Sequence, residues 1–256
     1  MKAIRKGDKG KQVEAWQYFL IGRGYTNIVA DGEFGPNTYK ATLAFQNSAG
    51  IPADGVVGNT TYTAAMKMGF LLVNDPKDNS STGLNWPKIP SFKPLTASQM
   101  QSRFGKIEFR INPDGNSVTI LNDWKSKNIV TLDMPFLKNT GPYFTSKISV
   151  HKDAADKFQK LFRAWEEKGL LHLIKSYDGA FNPRLIRGSN TTLSTHAFGI
   201  AIDINVRWNG LGSVPARKGQ EGSVRELVPI ANKLGFFWGG HFTRKDGMHF
   251  ELAKTP

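Results

Sequence analysis

Apolar residues follow a helical period at one end of the chain and a mixed period at the other. Val13, Trp16 and Leu20, with Gln17 on the same flank, recur at helical spacing, and Tyr39, Leu43 and Phe45-Gln46 form a second stripe. Three short helices around one small core are predicted within residues 1–70. Periodicity then stops over residues 71–94, where the text from Asn74 to Pro94 is rich in Asp, Asn, Ser and Pro and reads as a tether. Over residues 95–256, apolar runs at Val118–Leu121, Ile129–Leu132 and Leu170–Ile174 predict strands. Asp153–Lys168 puts Ala155, Phe158, Leu161, Phe162 and Trp165 on one helical face, with Gly169 where a helix C-terminus belongs. Another helix is predicted over Gly222–Lys233, ended by Gly235. Ile200, Ile202 and Ile204 alternate with small or polar residues, so Ala201–Asn205 reads as a buried strand, and the stretch from Trp238 to Leu252 as a second. The expectation is two domains, a small all-α three-helix module followed by an α+β domain with a central antiparallel sheet.

One pattern occurs twice in the first domain. Asp31-Gly32-Glu33-Phe34-Gly35-Pro36-Asn37-Thr38 and Asp54-Gly55-Val56-Val57-Gly58-Asn59-Thr60-Thr61 share D-G-x-Φ-G-x-x-T. Asp-Gly opens a tight turn, the later Gly tolerates an unusual backbone, and Thr or Asn near the end is expected to cap the helix that follows. With Gly7, Asp8, Gly10 and Val13 before the first copy and Ala41 to Gln46 (A-x-x-x-F-Q) between the two, residues 1–68 closely resemble the peptidoglycan-binding module of cell-wall hydrolases. The resemblance implies a cleft for murein, with Asp31, Phe34 and neighbouring loop residues touching it.

Composition narrows the chemistry. The 256 residues include no Cys, which excludes disulfides, a thiol nucleophile, iron–sulfur clusters and cysteine-held zinc, so any metal sits on His and carboxylates. The formal charge is +13, and the excess lies beyond residue 75, where 26 Lys/Arg face 15 Asp/Glu. No more than two basic residues stand together, so the charge reads as a solvated surface favouring an anionic bacterial envelope, not as a nucleic-acid site. No apolar run is long enough for a membrane span. Lys9, Lys11, Gln12 and Glu14 interrupt the place of a secretory apolar segment, so no signal peptide is expected.

The informative residues are His196-x-x-Gly199-x-Ala201-x-Asp203 and, later, Asp246-x-x-His249-Phe250-Glu251. An ionised Asp on a buried strand is costly unless a cation compensates it. Two imidazoles and one carboxylate suit zinc with a fourth position open to water. S-x-H-x-x-G-x-A-x-D (Ser194–Asp203), D-x-x-H-F-E (Asp246–Glu251), the preceding N-P-R-x-I-R-G and the W-G-G at Trp238 resemble the zinc peptidases that cut D-alanyl-D-alanine or L-alanyl-D-glutamate bonds in peptidoglycan. The resemblance implies one Zn2+ on His196, Asp203 and His249, with Asp246 as general base. Arg184 would orient substrate, with Arg187 as the alternative. Ser194 and Glu251 would hydrogen-bond to the ligands, Trp238 would wall the pocket, and the role of His241 stays open. His151 and His172 read as structural.

Asp at the base position leans toward L-alanyl-D-glutamate endopeptidase action. D-Alanyl-D-alanine carboxypeptidase action and a non-catalytic wall binder are the alternatives. A muramidase would need two carboxylates flanking the sugar bond, and Glu166 and Glu167 lack a supporting motif. The whole pattern resembles a modular phage endolysin, implying a monomer that accumulates in the host cytoplasm and acts on the wall after the membrane is opened.

Overall fold

The computed structural model describes residues 3–25, 27–68, 70, 86–142 and 145–254. Residues 71–85 of the expected tether lie outside that set. The chain divides into two compact units, the first comprising Met1–Trp86, Val206–Ser223 and Gly240–Met248, the second Pro87–Asn205, Val224–Gly239 and His249–Pro256.

In the first unit, α1 (Lys11–Gly22), α2 (Pro36–Ser48) and α3 (Asn59–Lys67) are the three predicted helices. Their core centres on the Trp16 indole, which stacks on Phe19 and meets Phe45, Tyr62 and Phe70 edge-on at centroid distances of 5.3 to 6.3 Å. Its Nε1–H donates to Thr42 Oγ1 at 2.9 Å, so burial leaves the indole satisfied.

Each copy of the repeated turn is tied down by a glutamine. Gln17 Nε2 donates to Asp31 Oδ1 (2.8 Å), the Glu33 carbonyl (2.9 Å) and Thr38 Oγ1 (3.0 Å), while its Oε1 accepts from the Gly32 N–H at 2.8 Å. Gln46 repeats the device on Asp54 Oδ1 (2.8 Å), the Val56 carbonyl (3.0 Å), Thr61 Oγ1 (3.0 Å) and the Gly55 N–H (2.8 Å). This corrects the expected caps. Gly35 and Gly58 occupy the N-cap positions with no side-chain bond, because the threonines turn inward to the glutamine amides. Phe34 is also corrected: at 2% exposure it belongs to the core and offers no face to a glycan. Asp31 stays exposed, and the Glu33 N–H and Gln17 amide hold its carboxyl below the usual range.

The second unit opens with α4 (Ala97–Phe104), whose Thr96 and Gln99 form a reciprocal capping box. Then follow β1 (Phe109–Ile111), β2 (Val118–Ile120), α5 (Trp124–Asn128), β3 (Ile129–Asp133), β4 (Gly141–Pro142), β5 (Lys147–His151), α6 (Ala155–Glu167), β6 (Ser176–Gly179) and β7 (Ala201–Ile204). After α7 (Val206–Asn209), which belongs to the first unit, come α8 (Val228–Lys233), β8 (Phe236–Trp238) and β9 (His249–Leu252). The main sheet has the order β4-β6-β7-β9-β8 and is antiparallel apart from the short β4–β6 pair. Alternation along β9 sends Phe250 to one face and His249 and Glu251 to the other. The apolar face meets α6, where Trp165 packs on Phe250 at 5.8 Å and Phe158 on Phe236 at 5.0 Å. The opposite face is thereby left for polar chemistry.

Three predicted elements differ. Leu170–Ile174 is not a strand. Gly169, at φ 67°, ends α6 with a Schellman motif, the Leu170 N–H bonding to the Trp165 carbonyl and the Gly169 N–H to that of Glu166, and a 3-10 turn at Leu171–Leu173 follows before β6. The helix expected over Gly222–Lys233 begins only at Val228, because Pro229 fits the first turn and residues before it form turns. The stretch from Trp238 to Leu252 is two strands, β8 and β9, separated by a 3-10 turn at Gly239–His241 and an irregular segment.

Residues expected in the catalytic body also build the first unit. Leu211 and Met248 are buried in its core, and Val206 packs against it. Arg23 Nη1 donates to the carbonyls of Val206 and Arg207, and the Arg244 guanidinium covers the Tyr18 ring at 5.1 Å.

Candidate metal centre

Asp203 on β7 stands directly opposite His249 on β9 in the sheet register. The third member, His196, comes from a 3-10 turn at Thr195–Phe198. Ser194 Oγ accepts from the His196 backbone N–H at 3.3 Å and starts that turn, so Ser194 supports the chain of the ligand and not its ring. Gly199 ends the turn at φ 64°, and a Cβ there would lie 2.8 Å from the His151 nitrogen and 2.9 Å from Ile129 Cδ1. Only glycine lets the backbone bring His196 this close.

The three ligand atoms form a nearly equilateral triangle. His196 Nε2 is 3.1 Å from His249 Nδ1 and 3.1 Å from Asp203 Oδ1, and His249 Nδ1 is 3.0 Å from Asp203 Oδ1. All three residues are buried. Each imidazole is oriented through its other nitrogen. His196 Nδ1–H donates to the Ala180 carbonyl at 2.6 Å, and His249 Nε2–H donates to Glu251 Oε2 at 3.0 Å, with Thr195 Oγ1 a further 3.3 Å neighbour. These bonds fix the tautomers that turn the lone pairs of His196 Nε2 and His249 Nδ1 toward Asp203.

This donor set fits zinc. A tetrahedral ion with ligands at about 2.0–2.1 Å separates them by about 3.3 Å, so the triangle opens by only a few tenths of an ångström to admit one. The electrostatics agree. Burial would raise Asp203, but His196 and His249 outweigh it and hold the carboxyl well below the usual range. Burial lowers His196, the positive charge of Arg184 contributing in the same sense. Burial also pulls His249 down, yet hydrogen bonds and charges from Asp203 and Glu251 overcome it and push the imidazole up to about 10.

The other sequence-picked residues fall as follows. Glu251 Oε2 lies 3.0 Å from His249 Nε2. Trp238, expected as a pocket wall, is fully buried within β8 and packs within the sheet. Arg184 and Arg187 are half-buried in the loop before the His196 turn, where the Arg184 carbonyl accepts from the Ser194 N–H. Asp246 is half-buried in the segment just before β9. His241 Nδ1 accepts from Trp86 Nε1–H at 3.3 Å, and burial, helped by the Lys245 charge, lowers it to about 4, so it is neutral. His151 is structural: its Nδ1 accepts from the Asp153 N–H and its Nε2–H donates to the Phe104 carbonyl. His172 bonds the Gly169 carbonyl, and Glu166 and Glu167 are exposed on α6. Sequence reasoning missed Ala180 and Thr195. A carbonyl leaves no side-chain signature, and only adjacency to His196 marks Thr195.

Two family models match the chain: residues 187–252 match that described as D-alanyl-D-alanine carboxypeptidase, and residues 9–65 match a peptidoglycan binding domain. The first range contains His196, Asp203, His249 and Asp246, the second both copies of the repeated turn. N-acetylmuramoyl-L-alanine amidase CwlL of Bacillus licheniformis is 30% identical over 114 residues, 41% of this chain and 32% of that protein. The chain spans about a third of the length of the curated relatives it matches. A solved peptidoglycan-binding protein from Clostridioides difficile, in complex with glutamine hydroxamate, is 44% identical, over 25% of this chain and 40% of that one, with a TM-score of 0.24. The SleB N-terminal domain is 35% identical, over 26% and 90% respectively, with a TM-score of 0.25.

Proposed function

We propose, from a chain in which a peptidoglycan-binding domain precedes a carboxypeptidase-type domain, that this protein is a peptidoglycan hydrolase cutting an amide bond of murein stem peptides, L-alanyl-D-glutamate in the first instance. The observation that carries the reading is the triangle of His196, Asp203 and His249, with both rings locked by Ala180 and Glu251 in ligating tautomers. His196, Asp203 and His249 would hold a zinc ion, which would supply a Lewis acid for the scissile carbonyl and lower the pKa of water toward neutrality. The Asp246 carboxylate accepts the proton of the attacking water and returns it to the leaving amine. Arg184 holds a substrate carboxylate through its guanidinium fork. Glu251 keeps the His249 ring from turning as charge changes around it. As an endolysin of a bacteriophage the protein would accumulate as a monomer in the host cytoplasm and reach the wall once the membrane is opened, its positive charge favouring the anionic envelope.

Digestion of purified sacculi, with mass spectrometry of the products, tests this. New amino termini on D-glutamate are expected. Release of free D-alanine would instead mean carboxypeptidase action, new L-alanine termini would mean amidase action, and new reducing sugar ends would mean a muramidase. Undiminished digestion after chelation would refute the metal mechanism, and no release at all would leave a wall-binding protein.

A further inference from the structure

The chemistry above leaves a second concavity without a role. In the first unit an open groove of about 660 Å³ runs between α3, through Thr60, Thr63 and Lys67, and a wall made by Arg207, Trp208 and Glu221. That size suits a small ligand or a short piece of polymer. One wall belongs to the peptidoglycan-binding domain and the other to a stretch some 150 residues further along the chain.

The second wall is fixed in advance. Arg23 of α1 donates to the carbonyls of Val206 and Arg207 and so pins α7 to the helices. Trp208 lies against Gly222, where a Cβ would come within 2.2 Å of the indole. Fully buried Asn209 donates to the Gly222 carbonyl at 2.8 Å and accepts from the Ala216 N–H at 3.1 Å, bracing the loop behind the tryptophan. The Arg207 guanidinium sits over the indole at 5.6 Å. A preset wall of this kind loses little freedom when a ligand arrives.

We propose that this groove is the wall-binding site and takes a sugar–peptide fragment of peptidoglycan, with a stem carboxylate on Arg207, whose guanidinium the Trp208 ring holds in place. The inference rests on the hydrolase reading. A guanidinium fork matches a carboxylate in two parallel bonds, Lys67 adds a second cation, and Glu221 suits a stem-peptide amine. Threonine hydroxyls along α3 complement sugar hydroxyls and amides. Wall affinity then depends on both ends of the sequence.

Co-sedimentation of the full chain with purified sacculi, under chelation so that the polymer stays intact, tests this with Arg207→Glu and Thr63→Trp. Arg207 and Thr63 are exposed, so neither change disturbs the core. Each is expected to raise the half-saturating concentration about tenfold, Arg207→Glu by loss of one charge-assisted contact and Thr63→Trp by filling the groove, with the zinc content of the loaded protein and the Tm unchanged. Weakening by Thr63→Trp alone would overturn the shared groove, and native binding by both variants would overturn the site altogether. Failure of the unaltered chain to sediment would overturn this proposal and count against the hydrolase reading, whereas native binding with native variants would leave that reading standing.

Discussion

His196 Nε2 and His249 Nδ1 face each other at 3.1 Å, with the Asp203 carboxylate oxygen 3.0 to 3.1 Å from both. With the rings neutral, three lone-pair atoms converge in a buried space, an arrangement that is repulsive until a cation enters. His196→Ala or Asp203→Ala should therefore abolish stoichiometric zinc, measured by elemental analysis. Sacculus digestion should fall by more than about 100-fold, because loss of an outer partner alone typically costs 10–100-fold.

In chelated protein the same cluster predicts a pH-dependent stability. The His249 value of about 10 lies above its ordinary one of about 6.5. The folded state then binds a proton that the unfolded chain releases, so the stabilisation is complete below about pH 6.5 and is lost as pH rises toward 10. The Tm of metal-free protein should fall between pH 7 and pH 10, and His249→Gln should flatten that fall. A native profile level across this window would contradict the assignment.

Asp246→Asn separates proton transfer from metal binding. Zinc content should stay near that of the native protein while kcat drops by roughly 10²- to 10⁴-fold, the usual contribution of a general base. Parallel loss of zinc and activity would give Asp246 a structural role instead.

Gly199→Ala probes the turn that delivers His196. Its added methyl meets the His151 backbone at 2.8 Å in a left-handed conformation, so a stability loss on the order of 1–3 kcal/mol is expected, with weaker zinc retention during dialysis.

Gln46→Met keeps much of the side-chain volume but removes an amide that serves four groups around Asp54 and Thr61. Each buried polar group left unsatisfied costs about 1–3 kcal/mol, so denaturant unfolding of the first unit should report at least about 2 kcal/mol.

The convergence of His196, Asp203 and His249 was legible because its spelling is constrained: a carboxylate amid alternating isoleucines, small residues beside it, and a histidine in the polar text before it. The long helix was legible for the same reason, its apolar face repeating from Phe158 to Trp165. Leu170–Ile174 was misread because a short apolar run carries no period, and only the Schellman bonding at Gly169 shows why the chain turns there. Gln17 and Gln46 stand out in the sequence only as helix positions; their hold on the repeated turns was not legible because they precede those turns by different distances, Asp31 lying 14 residues after one and Asp54 8 after the other. Phe34 was misplaced because a loop position in sequence says nothing about which way a ring points. Nothing in the text around Arg207 and Trp208 announced that they would sit beside α3, since that neighbourhood is made by tertiary packing of Leu211 and Met248.

The pairing of Asp203 with His249 across β7 and β9 has one more effect. Side chains alternate along a strand, so a slip of one residue would swing His249 to the side where Phe250 belongs and dismantle the cage. An ion held there would add its affinity only to chains zipped in the right phase, so its loading would proofread the sheet, drawing misaligned molecules back toward the arrangement that can hold it.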